Sequence, residues 1–185
     1  MAAGPDVCNF GWKAPDFTLP GVDGATHSLD ALRGENGTLV AFICNHCPYV
    51  KAILDKIIRD AADLKDLGVA TVAICSNDAV TYPEDSFDKM RALAESRAFP
   101  FVYLHDEDQS VARAYDAVCT PDFFGFNADL ELHYRGRLDA SRASPGPDDL
   151  RRDLYLAMKQ IAETGRGPED QIPSMGCSIK WKAAA

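Results

Sequence analysis

Two cysteines separated by two residues are the most informative chemical feature of the sequence. Cys44 and Cys47 enclose Asn45 and His46, and they follow an apolar run over residues 39–43. The apolar run predicts a buried strand and the periodic apolar residues after the pair predict a helix, so the cysteines lie at a strand-to-helix junction. Two thiols at this spacing can form and break a disulfide, and in a chain with alternating strands and helices the spacing is typical of a redox motif.

The segments that must position this pair predict an α/β protein. Fully apolar runs indicate buried strands, apolar residues three and four apart indicate helices, and Gly-, Asp- and Asn-containing turns between alternating runs indicate hairpins. The predicted order is a hairpin over residues 16–29, a strand over 39–43, a helix over 50–67 closed by Gly68, a strand over 69–75, a helix around 87–94, a strand over 101–104, a short helix over 111–115, a hairpin over 123–134 and a helix from 147 to about 164. Hairpins combined with strand–helix–strand units give a central mixed β-sheet flanked by helices.

The length of 185 residues is sufficient for one domain with a full hydrophobic core. We therefore predict a single domain over residues 1–185, in which residues 1–35 form an N-terminal arm with a β-hairpin extension. Residues 165–185, interrupted by Pro168 and Pro173, are predicted to form a C-terminal tail.

Composition excludes several functional classes. The net charge of −9 disfavours nucleic acid as a partner, because an acidic chain repels phosphate backbones. No apolar stretch approaches the roughly 20 residues that span a bilayer, so no membrane association is expected. The first six residues lack the pattern of a secretory signal, and six cysteines are too few for a disulfide-stapled secreted domain. We expect a cytoplasmic protein whose thiols are mostly reduced, with Cys44 and Cys47 as the exception.

Three segments carry a resemblance to a known family. They are the entry segment over residues 14–20 (APDFTLP), the loop over residues 118–124 (VCTPDFF) and the tail over residues 173–182 (PSMGCSIKWK). Together with the cysteine pair, they resemble thioredoxin-fold proteins of the peroxiredoxin-like and TlpA-like superfamily (alkyl hydroperoxide reductase–thiol-specific antioxidant), in its Cys-x-x-Cys branch. The resemblance covers almost the whole chain and implies a thioredoxin-like fold.

The resemblance also implies roles for individual residues. Cys44, at the exposed end of the strand, is expected to attack disulfides, and Cys47 is expected to resolve the mixed disulfide. Asn45 and His46 are expected to tune the Cys44 pKa by donating to its sulfur, in addition to the helix N-terminus, which stabilises an anion by roughly 0.3–2 kcal/mol. Stabilising the thiolate predicts a reduction potential above that of thioredoxin, about −270 mV, and nearer that of disulfide isomerase, about −180 mV.

The loop over residues 118–124 is expected to contain a cis proline at Pro121. The backbone of Thr120 would then lie beside the cysteine pair and be presented to an incoming peptide. Cys119 and Cys177 are candidate accessory thiols. The alternatives are that Cys119 is a small apolar residue filling a gap and that Cys177 is a packed residue of the tail.

The sequence departs from the patterns of the resembled families at two places. Thioredoxin has a buried acid about six residues before its first cysteine, and Thr38 occupies that place here, so proton transfer is expected to use water or His46. Aligning the peroxidatic cysteine of peroxiredoxins on Cys47 places Val40 and Cys44 at that family's proline and threonine positions. Because the groups that polarise a peroxide in that family are missing at these positions, we expect weak peroxidase activity.

Our leading hypothesis is a thiol-disulfide oxidoreductase that cycles a Cys44–Cys47 disulfide with protein thiols or with a thioredoxin-type reductant. It requires no organic cofactor and no metal. The alternatives are a peroxiredoxin-like peroxidase that uses Cys47, and a metal-binding or carrier protein in which Cys44, Cys47 and Cys119 hold a thiophilic ion. A homodimer is a further open alternative, because this fold often pairs through edge strands or helix faces.

Overall fold

A mixed sheet with helices packed against it carries the cysteine pair. The structure is a computed structural model that describes residues 2–4 and 8–183. Met1, part of the segment considered for a secretory signal, and the last two alanines of the predicted tail lie outside the described residues. The strands are β1 (Ala2–Ala3), β2 (Thr18–Pro20), β3 (Thr26–Ser28), β4 (Gly37–Phe42), β5 (Val69–Cys75), β6 (Val102–His105), β7 (Cys119–Thr120), β8 (Asp122–Phe126), β9 (Leu132–Tyr134) and β10 (Gly176–Ser178). The helices are α1 (Leu29–Leu32), α2 (Pro48–Lys65), α3 (Phe87–Ser96), α4 (Ser110–Ala114) and α5 (Asp153–Thr164), with a 3-10 turn over Pro83–Asp85.

The central sheet has the strand order β6-β5-β4-β8-β9. Strand β4 pairs in parallel with β5 and antiparallel with β8, so the predicted mixed sheet is confirmed. All six residues of β4 are buried, which explains its uninterrupted apolar sequence. Because side chains alternate along a strand, Leu39 and Ala41 join the apolar cluster that contains α2 and α5, whereas Val40 and Phe42 join the cluster on the opposite face. The end of β4 is therefore held rigidly from both sides.

Helix α2 follows the pattern that its sequence predicts. It places a buried apolar stripe against the sheet, and Gly68 then adopts a φ of 73°, a left-handed conformation that glycine tolerates without strain. No helix among the described residues is both long enough and apolar enough to cross a membrane.

The predicted N-terminal hairpin is present as the β2–β3 pair, but the predicted start of the last helix is wrong. Helix α5 begins at Asp153 rather than at Pro147. The buried Lys56 ammonium of α2 explains the difference, because it donates to the carbonyl oxygens of Pro145 and Pro147 at 2.8 and 3.2 Å and to Asp139 at 2.9 Å. These bonds hold the segment around residues 145–147 against α2 in a non-helical conformation.

The C-terminal tail contains a strand that the sequence patterns did not predict. Strand β10 pairs antiparallel with both β1 and β7 and forms a small three-stranded sheet beside the central one. Strands of two or three residues are too short to show an alternating pattern, so no periodicity indicates them. This small sheet lies against the cysteine pair.

Candidate active site

The strand-to-helix junction brings the two cysteine sulfurs to the loop before β8. Cys47 is the N-cap of α2, and Pro48 supplies the first helical residue, a position that tolerates its missing N–H. The Thr120–Pro121 peptide bond is cis, as the resemblance implies. The Cys47 sulfur lies 3.1 Å from the Thr120 carbonyl oxygen, and the Cys44 sulfur lies 3.4 Å from the Thr120 hydroxyl. The predicted site residues Cys44, Cys47, Thr120 and Pro121 are therefore together.

Both cysteines are buried, so the expected exposure of Cys44 is wrong. Cys44 is 1% exposed and Cys47 is 0% exposed, and both belong to the apolar cluster beneath α2. The cause lies in segments distant in sequence: the 3-10 turn bonds to Asn45, and β10 runs along β7 with Cys177 opposite Thr120. In this conformation the backbone edge at Thr120, which was expected to receive an incoming peptide, is paired with the protein's own chain.

A buried carboxylate, Asp85, organises the two residues between the cysteines. One of its oxygens accepts hydrogen bonds from the backbone N–H groups of Asn45 and His46, at 2.8 and 3.2 Å. The other oxygen bonds to His46 Nδ1 at 2.5 Å and accepts from the Asn77 amide at 2.8 Å. Asp85 is 0% exposed, and such a group is retained in a protein interior only when it is fully hydrogen-bonded. The Cys-x-x-Cys loop is therefore fixed by a residue about 40 positions away.

This network corrects the role assigned to Asn45 and His46. Both were expected to donate to the Cys44 sulfur, but a carboxylate is a stronger acceptor and takes their backbone donors instead. The Asn45 side chain donates to the Glu84 carbonyl oxygen and accepts from the Tyr103 hydroxyl. The His46 ring stacks on Tyr82, with the ring centroids 5.2 Å apart and an interplanar angle of 3°.

Asp85 is the functional residue that sequence reasoning missed. It lies in a loop with no motif of its own, and the acid was sought on the strand that precedes Cys44, where Thr38 binds the Gly34 N–H. In space, Asp85 supplies a buried acid beside the pair. Donor atoms of Cys44, His46 and Asp85 all lie within 4.8 Å of one another.

The surroundings of Cys47 favour its thiolate. Hydrogen bonding from the Cys44 thiol, opposed by burial and assisted by the Val50 N–H and by Cys177, lowers the pKa of Cys47 to about 4. One contact acts in the other direction, because the Thr120 carbonyl oxygen at 3.1 Å attracts a thiol and repels a sulfur anion. The effects that lower the pKa exceed those that raise it, and Cys47 is the N-cap of an 18-residue helix, whose dipole also favours an anion.

The surroundings of Cys44 favour its protonated thiol. Its hydrogen bond to Cys47 raises its pKa, and burial and the nearby Asp85 carboxylate raise it further. The expected assignment of Cys44 as the low-pKa thiol is therefore wrong for the reduced state, in which the proton stays on Cys44 and the negative charge on Cys47. The physical reason is position, since Cys47 caps the helix and Cys44 precedes it.

The two candidate accessory thiols differ in what they contact. Cys119 is buried, its thiol donates to the Pro121 carbonyl oxygen at 3.4 Å, and burial raises its pKa. Cys177 is half-buried, lies opposite Thr120 in the β7–β10 pair and helps to lower the pKa of Cys47. Cys177 therefore belongs to the site, whereas Cys119 packs beside it.

Comparison with known proteins places the chain in a family. A model of the AhpC/TSA family matches residues 10–136. The chain belongs to the AhpC/TSA family. A solved structure of an uncharacterized conserved protein from Geobacillus kaustophilus is 46% identical, with a TM-score of 0.94, covering 100% of this chain and 98% of that chain. A hypothetical protein from Sinorhizobium meliloti 1021 is 38% identical, with a TM-score of 0.92 and 98% coverage of both chains.

More distant relatives show the fold alone. The thioredoxin domain of a thiol-disulfide oxidoreductase from Bacteroides vulgatus is 17% identical, with a TM-score of 0.62, covering 83% of this chain and 97% of that chain. The predicted thioredoxin-like fold is therefore confirmed. The search of curated proteins found no match.

Arg135 lies on the segment after the cis proline in this AhpC/TSA protein. Arg135 pairs with the buried Asp122 at 3.2 Å, donates to the Asp116 carbonyl oxygen and lies over the Phe124 ring, 4.5 Å from its centroid. The contacts of the cysteine pair are instead made by Thr120, Asp85 and Cys177.

The metal-binding alternative named Cys44, Cys47 and Cys119, whereas the possible ligand atoms that the described residues bring together are those of Cys44, His46 and Asp85. Cys44, His46 and Asp85 are close enough to approach one ion. However, both Asp85 oxygens already accept hydrogen bonds and His46 Nδ1 is bonded to one of them, so a cation would have to displace an existing network. The arrangement is accounted for by hydrogen bonding.

Proposed function

We propose that this protein is a thiol-disulfide oxidoreductase that cycles a Cys44–Cys47 disulfide with protein thiols and disulfides. The observation that carries the proposal is that both sulfurs meet at Thr120 beside the N-terminus of α2, with the Cys47 sulfur 3.1 Å from its carbonyl oxygen and the Cys44 sulfur 3.4 Å from its hydroxyl. Their interaction lowers the pKa of Cys47 and raises that of Cys44, which divides charge and proton between them. A low-pKa thiolate is both the better-populated nucleophile and the better leaving group. Cys47 fills these roles inside the protein.

The proton on Cys44 needs an acceptor when the disulfide forms. When the Cys44 sulfur enters the Cys44–Cys47 bond it gives up that proton, and the sulfur that it displaces leaves as a thiolate. In the reverse direction Cys44 regains a proton. We propose that His46 and Asp85, whose donor atoms lie within 4.8 Å of the Cys44 sulfur, exchange that proton. Asp85 thus takes the place of the acid that Thr38 does not provide.

The thiolate at Cys47 also bears on the reduction potential. Stabilising the reduced form makes the disulfide a stronger oxidant, so we propose a potential above the value of about −270 mV typical of thioredoxin. Here the stabilisation comes from Cys47 at the helix N-terminus and not from His46.

The test is a redox titration in glutathione buffers with disulfide mapping by mass spectrometry. Wild type is expected to form the Cys44–Cys47 disulfide reversibly, at a potential above that of thioredoxin. Cys75→Ser, which alters a buried cysteine on the neighbouring strand, is the matched control and is expected to titrate like wild type. A wild-type protein whose Cys44 and Cys47 stay reduced, or whose potential falls below that of thioredoxin, would contradict the proposal.

A second candidate function is thiol peroxidase activity at Cys47. Its low pKa and its position at the start of α2 favour it, because peroxide is attacked by a thiolate. Against it stand the burial of Cys47 and the Thr120 carbonyl oxygen next to its sulfur. Hydrogen peroxide consumption that is lost in Cys47→Ser and retained in Cys8→Ser would support this function.

A further inference from the structure

The third sulfur of the site belongs to the C-terminal strand. In the β7–β10 pairing, Cys177 lies directly opposite Thr120, the residue whose carbonyl oxygen is 3.1 Å from the Cys47 sulfur. Cys177 also packs against the apolar cluster that contains Cys44 and Cys47. Register and packing thus bring Cys177 to the part of the site formed by Cys47 and Thr120.

Strand β10 is held firmly in this position. Ile179 is buried, and its backbone N–H donates to the Val118 carbonyl oxygen at 3.2 Å. The Lys180 N–H donates to the Asn77 side chain at 2.9 Å, and the Lys180 carbonyl oxygen accepts from the Asp78 N–H at 2.8 Å. Gly176 fits so closely against the Thr120 carbonyl group that a Cβ at this position would collide with it. The strand is therefore a fixed part of the site.

Exposure distinguishes Cys177 from the other sulfurs nearby. Cys44, Cys47 and Cys119 are all buried, whereas Cys177 is half-buried. A folded partner protein can bring its own sulfur to an accessible thiol far more readily than to one sealed in the core, and access is one of the determinants of exchange rates.

We propose that Cys177 is the entry point through which the buried pair exchanges disulfides with protein partners, by way of a transient Cys47–Cys177 disulfide. This inference rests on the proposed function and names an additional residue for it. It assigns Cys177 the role of a catalytic thiol, and it leaves Cys44–Cys47 as the form in which the oxidised state is stored.

The exchange steps balance without an additional oxidant. The Cys177 thiol attacks a partner disulfide, and the partner's first sulfur leaves as a thiolate that takes up the Cys177 proton. The Cys47 thiolate then attacks the Cys177 sulfur of this mixed disulfide and releases the partner's second sulfur as a thiolate. Finally the Cys44 thiol attacks Cys47, forming Cys44–Cys47 and releasing Cys177 as a thiolate. The Cys44 proton leaves through His46 and Asp85, and Cys177 takes up a proton from water. The partner has gained two electrons and the protein has lost two.

The first experiment traps the transient bond. Cys44→Ser protein is treated with oxidised glutathione, alkylated, digested and mapped by mass spectrometry. The expected product is a Cys47–Cys177 disulfide. A product in which glutathione remains on Cys47 while Cys177 is free, or in which neither cysteine reacts, would overturn the proposal.

The second experiment measures the oxidation of the Cys44–Cys47 pair by a protein disulfide, using insulin as the probe. Cys177→Ser is expected to slow this oxidation at least about tenfold, because the accessible thiol is lost. An unchanged insulin rate would overturn the proposal.

Cys8→Ser is the matched control for both experiments. Cys8 and Cys177 are both half-buried, and burial raises the pKa of each to about 11, so they differ chiefly in position. Cys8→Ser is expected to behave like wild type. If wild type fails to form Cys44–Cys47 at all, the proposed function fails, whereas a Cys177→Ser protein that forms this disulfide at the wild-type rate defeats only the role of Cys177.

Discussion

Cys47 and Cys75 are equally buried thiols with opposite chemistry. Both are 0% exposed, and they lie near the ends of the neighbouring parallel strands β4 and β5. Yet the pKa of Cys47 is lowered to about 4, whereas burial, with the added effect of Asp85, raises the pKa of Cys75 to about 12. Burial alone therefore does not decide whether a cysteine is reactive.

The difference lies in what the chain does after each cysteine. Cys47 is the N-cap of α2, where the helix dipole favours an anion, and the neighbouring Cys44, the Val50 N–H and Cys177 all lower its pKa. Cys75 is followed by a loop, and the donors that reach it, the Asn77 N–H and Tyr103, do not offset its desolvation. A buried thiol becomes a thiolate only where donors converge on it.

The largest effect is expected for removal of the reactive sulfur. Cys47→Ser should abolish insulin reduction in the presence of dithiothreitol, a loss of at least about 100-fold, because internal exchange needs both sulfurs of the pair. Cys75→Ser should retain the wild-type rate. Equal losses in the two variants would show that the contrast between the two thiols has no functional meaning.

Thiolate absorbance at 240 nm measures the difference in protonation between Cys47 and Cys75. The reduced protein is expected to show a transition with a midpoint near pH 4, and this transition should be absent in Cys47→Ser and unchanged in Cys75→Ser. Cys44→Ala should move the midpoint upward, because it removes the hydrogen bond that contributes most to the lowered pKa of Cys47. A wild-type protein without a transition below pH 7 would contradict the assignment of charge to Cys47.

Stability should depend on pH in the reduced protein more than in the oxidised one. Folding lowers the pKa of Cys47 from about 8.5 in the unfolded chain to about 4, so the unfolded state binds more protons between these values. The stabilisation is fully present above the unfolded pKa, and it is lost as pH falls through this window towards 4. Urea unfolding between pH 5 and 8 measures the slope as the difference between reduced and oxidised wild type, and reduced Cys47→Ser should show the weaker pH dependence of oxidised wild type.

A smaller effect is expected for a change at Asp85, whose carboxylate raises the pKa of Cys44 and Cys75. Asp85→Asn keeps the shape of the side chain but removes its charge, so it weakens the bonds to the Asn45 and His46 N–H groups and to the His46 ring. Hydrogen bonds to charged groups contribute about 1.5–3 kcal/mol each, so we expect a loss of about 2–3 kcal/mol in the free energy of unfolding. Urea unfolding measures it.

The direction in which Asp85→Asn changes the pKa of the nearby thiols also tests the hydrogen-bond network. The Asp85 carboxylate raises the pKa of both Cys44 and Cys75, so the pKa of each thiol should fall in Asp85→Asn. Glu84→Gln is the matched control, because Glu84 contributes only its backbone carbonyl oxygen to Asn45. An Asp85→Asn protein as stable as wild type would mean that the carboxylate does not organise the Cys-x-x-Cys loop.

The sequence was most informative where one segment determines its own structure. The apolar run before Cys44 and the 18-residue helix after Cys47 each bury a face that their patterns reveal, so the junction and the mixed sheet followed from them. The segments that bury the cysteine pair could not be predicted from such patterns. Asp85 reaches the loop across about 40 residues and Cys177 across about 130, and neither contact leaves a periodic trace in the sequence.

The error about the reactive thiol has the same origin. The sequence located the helix start to within a few residues, but the choice between Cys44 and Cys47 as the anion depends on which of them caps the helix. That choice was settled by where β4 ends, at Phe42, and by the bonds that Asp85 makes to the intervening residues. Boundaries of one or two residues are the least predictable feature of an element.

The bonds from Asp85 to the Asn45 and His46 amides turn those two N–H groups into natural reporters. Each amide proton points at a carboxylate oxygen sealed from water, at 2.8 and 3.2 Å. Their solvent exchange should therefore be slow although they lie in a loop, and their nuclear magnetic resonance shifts should follow any change of charge on that carboxylate. Two backbone signals would thus report the charge on Asp85 at each step of the disulfide cycle, without any label on a sulfur.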